Sequence, residues 1–153
     1  MISAPEKIQP ATKIPGSEIP TRTFADENPL NILIADDNFV NQKLIERILS
    51  KLGYHTDTAA DGVQVLNLFS RKKYNVILMD VRMTEMDGLE TTQAIRRMTV
   101  NQPYIIAMTA NVMSSDREEC LTVGMNDYIP KPICLAEVIT KLKIAADYCS
   151  NRK

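Results

Sequence analysis

The chain has no run of roughly 18 apolar residues, and its first residues lack the apolar core of a signal peptide, so nothing in it reads as a membrane span or a secretory leader. It also has little charge of one sign. Its 18 Lys and Arg against 19 Asp and Glu give a net charge of −1, without the cationic excess that draws proteins to nucleic acid or to anionic membranes. The one basic run, Arg71-Lys72-Lys73, suits a solvated helix end. Cysteine is scarce: Cys120, Cys134 and Cys149 are an odd number without metal-ligand spacing. That argues against a disulfide framework or a zinc site and fits a reducing, cytoplasmic setting. The single histidine, His55, falls near the start of a predicted strand, away from the acidic strand ends described below, and reads as an incidental surface residue.

What is present suits one globular domain, with 44% hydrophobic and 24% charged residues in 153. Residues 1–29 differ from the rest, because Pro5, Pro10, Pro15, Pro20 and Pro29 interrupt a polar stretch without helical or strand period. They read as a flexible linker or tail. From Asn31 onward, short apolar runs alternate with helical patterns, the sign of βαβ units and a parallel sheet. Strands are predicted near 31–36, 54–59, 74–80, 104–108 and 126–130. The first helix is expected to bury Val40, Leu44, Ile45, Ile48, Leu49 and Leu52 and to end at Gly53. Asp61 is placed to cap a second helix carrying Val63, Leu66 and Phe69, and Leu89, Ile95 and Met98 mark a third. A weakly periodic fourth helix spans about 113–123, and the last follows Pro132 with Leu135, Val138, Ile139, Leu142 and Ala145 facing inward.

The chemistry concentrates at the ends of these strands. The run Tyr74 to Met79 ends in Asp80, Ile32 to Ala35 runs into Asp36-Asp37, Ile105 to Met108 reaches Thr109-Ala110, and Tyr128-Ile129-Pro130 is followed by Lys131-Pro132. Open α/β sheets bind ligands outside the carboxyl ends of their strands. Three carboxylates there suit Mg²⁺, which prefers oxygen ligands, and a metal relieves the repulsion between close acids. Asp80 can act as a nucleophile towards phosphorus, with Thr109 donating a hydrogen bond to the transferred group and Lys131 pairing with it as a point charge. Each residue also has an ordinary reading: Asp36-Asp37 as a turn or helix cap, Thr109 as a strand-end turn, Lys131 as a surface cation. Their joint placement at successive strand ends is what argues for a site.

Over about residues 30–148, with 149–153 left as a C-terminal tail, these motifs resemble the receiver domain of two-component response regulators. The resemblance implies a doubly wound five-stranded parallel sheet of order 2-1-3-4-5. It implies that Asp80 accepts a phosphoryl group from phosphohistidine, that Asp37 and Asp80 bind Mg²⁺ directly, that Arg82 adds its backbone carbonyl, and that Asp36 acts through water. It also implies a cis bond before Pro132, a switch in which Tyr128 turns inward as Thr109 moves, and a small residue, Ala110, beside Thr109. Arg82 and Asn111 would flank the attacking water and set the phosphoryl lifetime, the first hindering hydrolysis and the second helping it. The stretches Asp37-Asn38-Phe39-Val40-Asn41-Gln42, Met79-Asp80-Val81-Arg82-Met83 and Gly124-Met125-Asn126-Asp127-Tyr128 look like receivers of hybrid sensor histidine kinases. One departure is Thr84, where the family commonly has proline, which puts the rigidity of that loop in question.

The implied partners are a histidine kinase domain or a histidine-phosphotransfer protein, with no direct nucleic-acid or membrane contact and a monomeric domain. Phe39 and Val40 are candidates for docking that partner, with core packing as the alternative. The chain is expected to be cytoplasmic, either stand-alone or the cytosolic receiver end of a larger kinase. Two other functions compete. A Mg²⁺-dependent aspartyl-phosphate hydrolase of the haloacid-dehalogenase type needs an acid two residues after the nucleophile, where this chain has Arg82. A degenerate receiver used only as a scaffold is disfavoured by the complete acidic, Thr and Lys set.

Overall fold

Strand runs that are apolar on both faces can be buried only in a sheet covered on both sides. The computed structural model describes residues 22–98, 100–110 and 114–151 and shows that arrangement. In chain order the elements are α1 (Phe24–Glu27), β1 (Ile32–Ala35), α2 (Phe39–Lys51), β2 (Thr56–Ala59), α3 (Gly62–Phe69) and β3 (Val76–Asp80). They continue with α4 (Gly88–Arg96), β4 (Tyr104–Thr109), α5 (Ser114–Thr122), β5 (Asp127–Pro130) and α6 (Leu135–Ser150). The strands form one parallel sheet in the order β2-β1-β3-β4-β5, the doubly wound 2-1-3-4-5 topology.

Because side chains alternate along a strand, the core has two halves. Ile32, Ile34, Leu78, Ile106 and Met108 face α2 and α6, where Ile45, Leu49, Val138 and Leu142 meet them. Leu33, Ala35, Ile77, Met79 and Ile105 face the other way, towards Val65 of α3, Ile95 of α4 and Cys120 of α5. Each fully buried Ile or Leu contributes about 1.5–3 kcal/mol. Arg96, at the end of α4, joins the connections on that second side by donating to Gly124 O, Pro103 O and the side chains of Gln102 and Asn126, at 2.8–2.9 Å. No helix of the described residues is long and apolar enough to cross a membrane.

Several inward faces differ from expectation. In α2 the buried stripe is Gln42, Ile45 and Leu49, whereas Val40 is 72% and Leu44 44% exposed. The first turn of α2 stands at the strand ends, and its i, i+4 apolar pair lies off the stripe that meets the sheet. In α3, Val65 is buried and Val63 is exposed, because Gly62 and Val65 are the positions turned towards the sheet. Leu135 at the start of α6 is also exposed, before the helix reaches the core at Val138. The expected cap Asp61 does accept from the Gln64 N–H, and Asp87 caps α4 in the same way by accepting from the Glu90 N–H.

The tail boundaries also shift. Residues 1–21 lie outside the described residues, but part of the stretch expected to be a flexible tail is the helical turn α1. Thr23 and Asp26 form a reciprocal capping box, with both bonds at 3.0 Å. Phe24 packs edge-on to Tyr54, the Ala25 N–H donates to Leu52 O, and the Tyr54 hydroxyl donates to Asn28 O at 2.6 Å. Gly53, with φ of 99°, leaves room for Thr23, which a Cβ there would strike. At the other end α6 continues to Ser150 with Asn151 as its cap, past the expected boundary at 148.

Since α1 is tied down by one aromatic contact and a few hydrogen bonds, Phe24→Ala should cost about 1–2 kcal/mol of stability, read as a lower urea midpoint at unchanged slope. An unchanged midpoint would show that α1 contributes nothing to the domain.

Candidate functional site

Strand register brings the acids to one level. Ala35 aligns with Met79, so the next residues, Asp36 and Asp80, emerge side by side at the carboxyl edge of the sheet. Thr109 aligns with Pro130, which sets Lys131 just beyond them. The peptide N–H of Lys131 donates to Thr109 O at 2.8 Å, and the Lys131–Pro132 bond is cis.

Asp36 is fully buried. Its N–H donates to Ala59 O, its carbonyl accepts from Gln42 Nε2 at 2.6 Å, and its carboxylate accepts from the Asn38 N–H at 2.9 Å. Asn38 itself caps α2 by accepting from the Asn41 N–H, so neither acid is needed as the helix cap. Asp37 is exposed, and among the described residues no group pairs with its carboxylate. Asp80 is nearly buried and accepts from the Arg82 N–H at 3.3 Å. Lys131 Nζ lies 3.3 Å from both an Asp36 and an Asp80 carboxylate oxygen. Thr109 is buried at the end of β4, and Ala110 beside it is exposed.

The loop after Asp80 is held closely. A Cβ at Gly88 would collide with the Asp80 backbone carbonyl, and the Gly88 N–H donates to Val81 O at 3.0 Å. Across Glu85, whose φ is 65°, the Met86 N–H donates to Thr84 O at 2.7 Å. The Met86 carbonyl then accepts from the Gly62 N–H, so backbone bonds tie this loop to α3.

Burial pushes the Asp80 carboxyl up to about 6; the Lys131 ammonium opposes this and the Asp36 carboxylate adds to it. One carboxyl oxygen from each of Asp36, Asp37 and Asp80 lies within 4.8 Å of the others. Three convergent hard oxygen donors, one of them unpaired, fit a small divalent cation such as Mg²⁺.

Other expected residues are distributed around this cluster. Arg82 is exposed beside Asp80, to whose carboxylate its N–H donates. Tyr128 is half-buried between two cations, with Arg117 and Lys141 each 5.1 Å from its ring centroid. Asn111 lies outside the described residues. Phe39 and Val40, in the turn that follows Asp37, are 66% and 72% exposed, and Leu44 and Pro132 line a small cavity with Asp36 and Lys131. His55 is exposed, as expected. A larger cavity of about 1070 Å³ lies at the far edge of the sheet, lined in part by Arg71, Lys73, Tyr74 and Arg97, and contains none of the acids. The chemistry, not the volume, marks the acidic cluster as the site. Sequence reasoning missed the role of Gln42, whose one signal was an amide on the inward stripe of α2.

The profile of the response regulator receiver domain matches residues 32–143. The chain is 39% identical over 145 residues to Histidine protein kinase 1 of Candida albicans, covering 81% of this chain but 6% of that kinase. The receiver domain of sensor histidine kinase PA1611 from Pseudomonas aeruginosa, solved with a magnesium ion coordinated in its active-site cleft, is 42% identical. It has a TM-score of 0.72 and covers 77% of this chain and 98% of its own. The complex of the Saccharomyces cerevisiae histidine phosphotransfer protein Ypd1 with the receiver domain of Ssk1 matches at a TM-score of 0.72 and 26% identity. That match covers 77% of this chain and 89% of the other.

The raised Asp80 pKa has a definite sign in stability. Below the ordinary value of 3.8 the carboxyl is protonated whether folded or unfolded and costs nothing; the penalty grows as pH rises and is complete above about 6. In the metal-free protein Asp80→Asn should therefore leave stability unchanged near pH 4 and raise it by about 2–3 kcal/mol at pH 7. Denaturation curves of both chains at several pH values check this; a difference independent of pH would remove the burial argument.

Proposed function

The chain belongs to the response regulator receiver family, and from that membership we propose that Asp80 is the acceptor of a phosphoryl group delivered by phosphohistidine. The observation that carries the reading is the meeting of Asp36, Asp37 and Asp80 around one point, with Lys131 Nζ 3.3 Å from two of them. The new bond joins an Asp80 carboxylate oxygen to phosphorus. The bond broken is P–N of the phosphoimidazole, whose electron pair returns to the ring nitrogen. Ionised Asp80 is the attacking form, and with its carboxyl at about 6 it is mostly ionised at neutral pH. Lys131 is freed from pairing with Asp80 as that charge passes to the phosphoryl oxygens, and it remains within reach of them. Thr109 donates its hydroxyl to the same group, and its neighbour Ala110 leaves the approach open. Tyr128 follows Thr109 inward, leaving its place between the two cations.

Mg²⁺ held by Asp37, Asp80 and the Arg82 carbonyl, with Asp36 acting through water, would supply positive charge against the phosphoryl oxygens. This rests on the donor set and on the magnesium-bound relative. Arg82 and Asn111 are assigned to the lifetime of the acyl phosphate. The exposed rim of Phe39 and Val40 is assigned to the partner, a histidine kinase domain or a histidine-phosphotransfer protein, in keeping with the Ypd1 complex. The likeness to Hybrid signal transduction histidine kinase B of Dictyostelium discoideum, 38% identical over 123 residues, and the free cysteines support a cytoplasmic receiver within a larger kinase. An aspartyl-phosphate hydrolase is disfavoured because Arg82 occupies the position of its second acid.

Incubation with acetyl phosphate and Mg²⁺ should add one phosphate to the native chain and none to Asp80→Asn, read by intact mass. Asp37→Ala should reduce the adduct severely, and chelator should abolish it. Undiminished modification in excess chelator, or in Asp80→Asn, would reject the assignment.

Phe39→Ala should slow transfer from a phosphorylated histidine-phosphotransfer protein by about tenfold, equivalent to about 1.4 kcal/mol, and affect the small donor far less. Equal effects on both donors would show that Phe39 serves the site rather than the partner.

A further inference from the structure

We infer that Gln42 is a positioning residue that sets the metal-binding geometry of the acidic pair through the Asp36–Asp37 peptide group. The inference rests on the reading of Asp37 as a metal ligand. Gln42 lies on the inward stripe of α2 among Ile45 and Leu49, where an apolar side chain would ordinarily pack. Its backbone N–H makes the first turn's bond, to Asn38 O at 3.0 Å. Helical side chains lean towards the helix N-terminus, so its amide points back over the turn that holds the acids.

The bonds it makes there are specific. Nε2 donates to Asp36 O at 2.6 Å and approaches Ala59 O at 3.5 Å, while the Asp36 N–H donates to the same Ala59 carbonyl. Asp36 is therefore held on its N–H by β2, on its carbonyl by Gln42, and on its carboxylate by the Asn38 N–H and Lys131. Beyond the end of β1 the Asp36 carbonyl is in the first turn away from the sheet ladder, and without Gln42 it would lose its buried partner. That carbonyl and the Asp37 N–H belong to one planar peptide group. Fixing the plane fixes where the Asp37 Cα stands, and the exposed Asp37 carboxylate has no other tie among the described residues. Gln42 touches neither metal nor substrate in this scheme and acts through the main chain.

The test replaces the amide with a side chain of similar size that cannot donate. Gln42→Met is compared with the native chain and with Ile45→Val, a small packing loss on the same face of α2. Mg²⁺ affinity is read from amide NMR shifts well below the unfolding midpoint of each chain, alongside the metal-free shift of the Asp37 amide. Gln42→Met should move the metal-free Asp37 amide and weaken Mg²⁺ binding by about tenfold or more, the scale seen when groups behind metal ligands are removed. Ile45→Val should stay within about twofold, by the same comparison. Native-like affinity in Gln42→Met, or equal weakening in Ile45→Val, would overturn the inference while leaving the site intact. Absence of Mg²⁺ binding in the native chain would instead overturn the site reading and this inference with it.

Discussion

The constraint on which the rest of the domain depends is the burial of two carboxylates, Asp36 and Asp80, at adjacent strand ends. Buried like charges are costly, and the Asp80 carboxyl responds by holding its proton to higher pH. One ammonium, Lys131, lies between them, and it can do so only because β5 runs parallel to β4 in a register that ends beside Thr109. The apolar sheet is therefore the support that keeps repelling groups at fixed separation. On the proposed reading, attachment of a phosphoryl group at Asp80 would replace a poorly accommodated carboxylate with a group that Lys131 can meet.

Much of this was legible in the sequence for a simple reason. A strand buried on both faces must be apolar along its length, so a charged or hydroxyl residue at its end is conspicuous, and Asp36, Asp80, Thr109 and Lys131 all stood out in that way. Strand positions and parallel topology followed from the same runs. Helix faces were less legible, because a helix longer than its contact with the sheet can carry apolar residues that face away. Val40, Leu44, Val63 and Leu135 were read inward and are exposed. Periodicity alone could not separate the two readings of Val40, core face or docking residue.

The remaining gaps have a different origin. Gln42 is polar, so periodicity gave it no inward role, although it is buried and bonded to the turn that matters most. The helical turn at Phe24–Glu27 is four residues long and follows a proline-punctuated stretch, so its order comes from Tyr54, Leu52 and Asn28 rather than from local propensity. Tyr128 likewise could be placed on β5 but not between Arg117 and Lys141, since those cations come from two different helices.

The docking of α1 beside Leu52 and Gly53 has a consequence for tethered chemistry. It sets Arg22 at the end of the sheet opposite the acids, so a donor tethered through the preceding residues would have to span the sheet. A covalently attached donor has to be carried past strands of about 20 Å, which takes at least about six extended residues. Above that reach, the effective concentration of such a donor at Asp80 falls only slowly with added length; below it, the concentration is zero. The 21 residues that precede Arg22 in the sequence exceed that minimum, so a donor joined ahead of them would be limited by dilution along the linker rather than by reach.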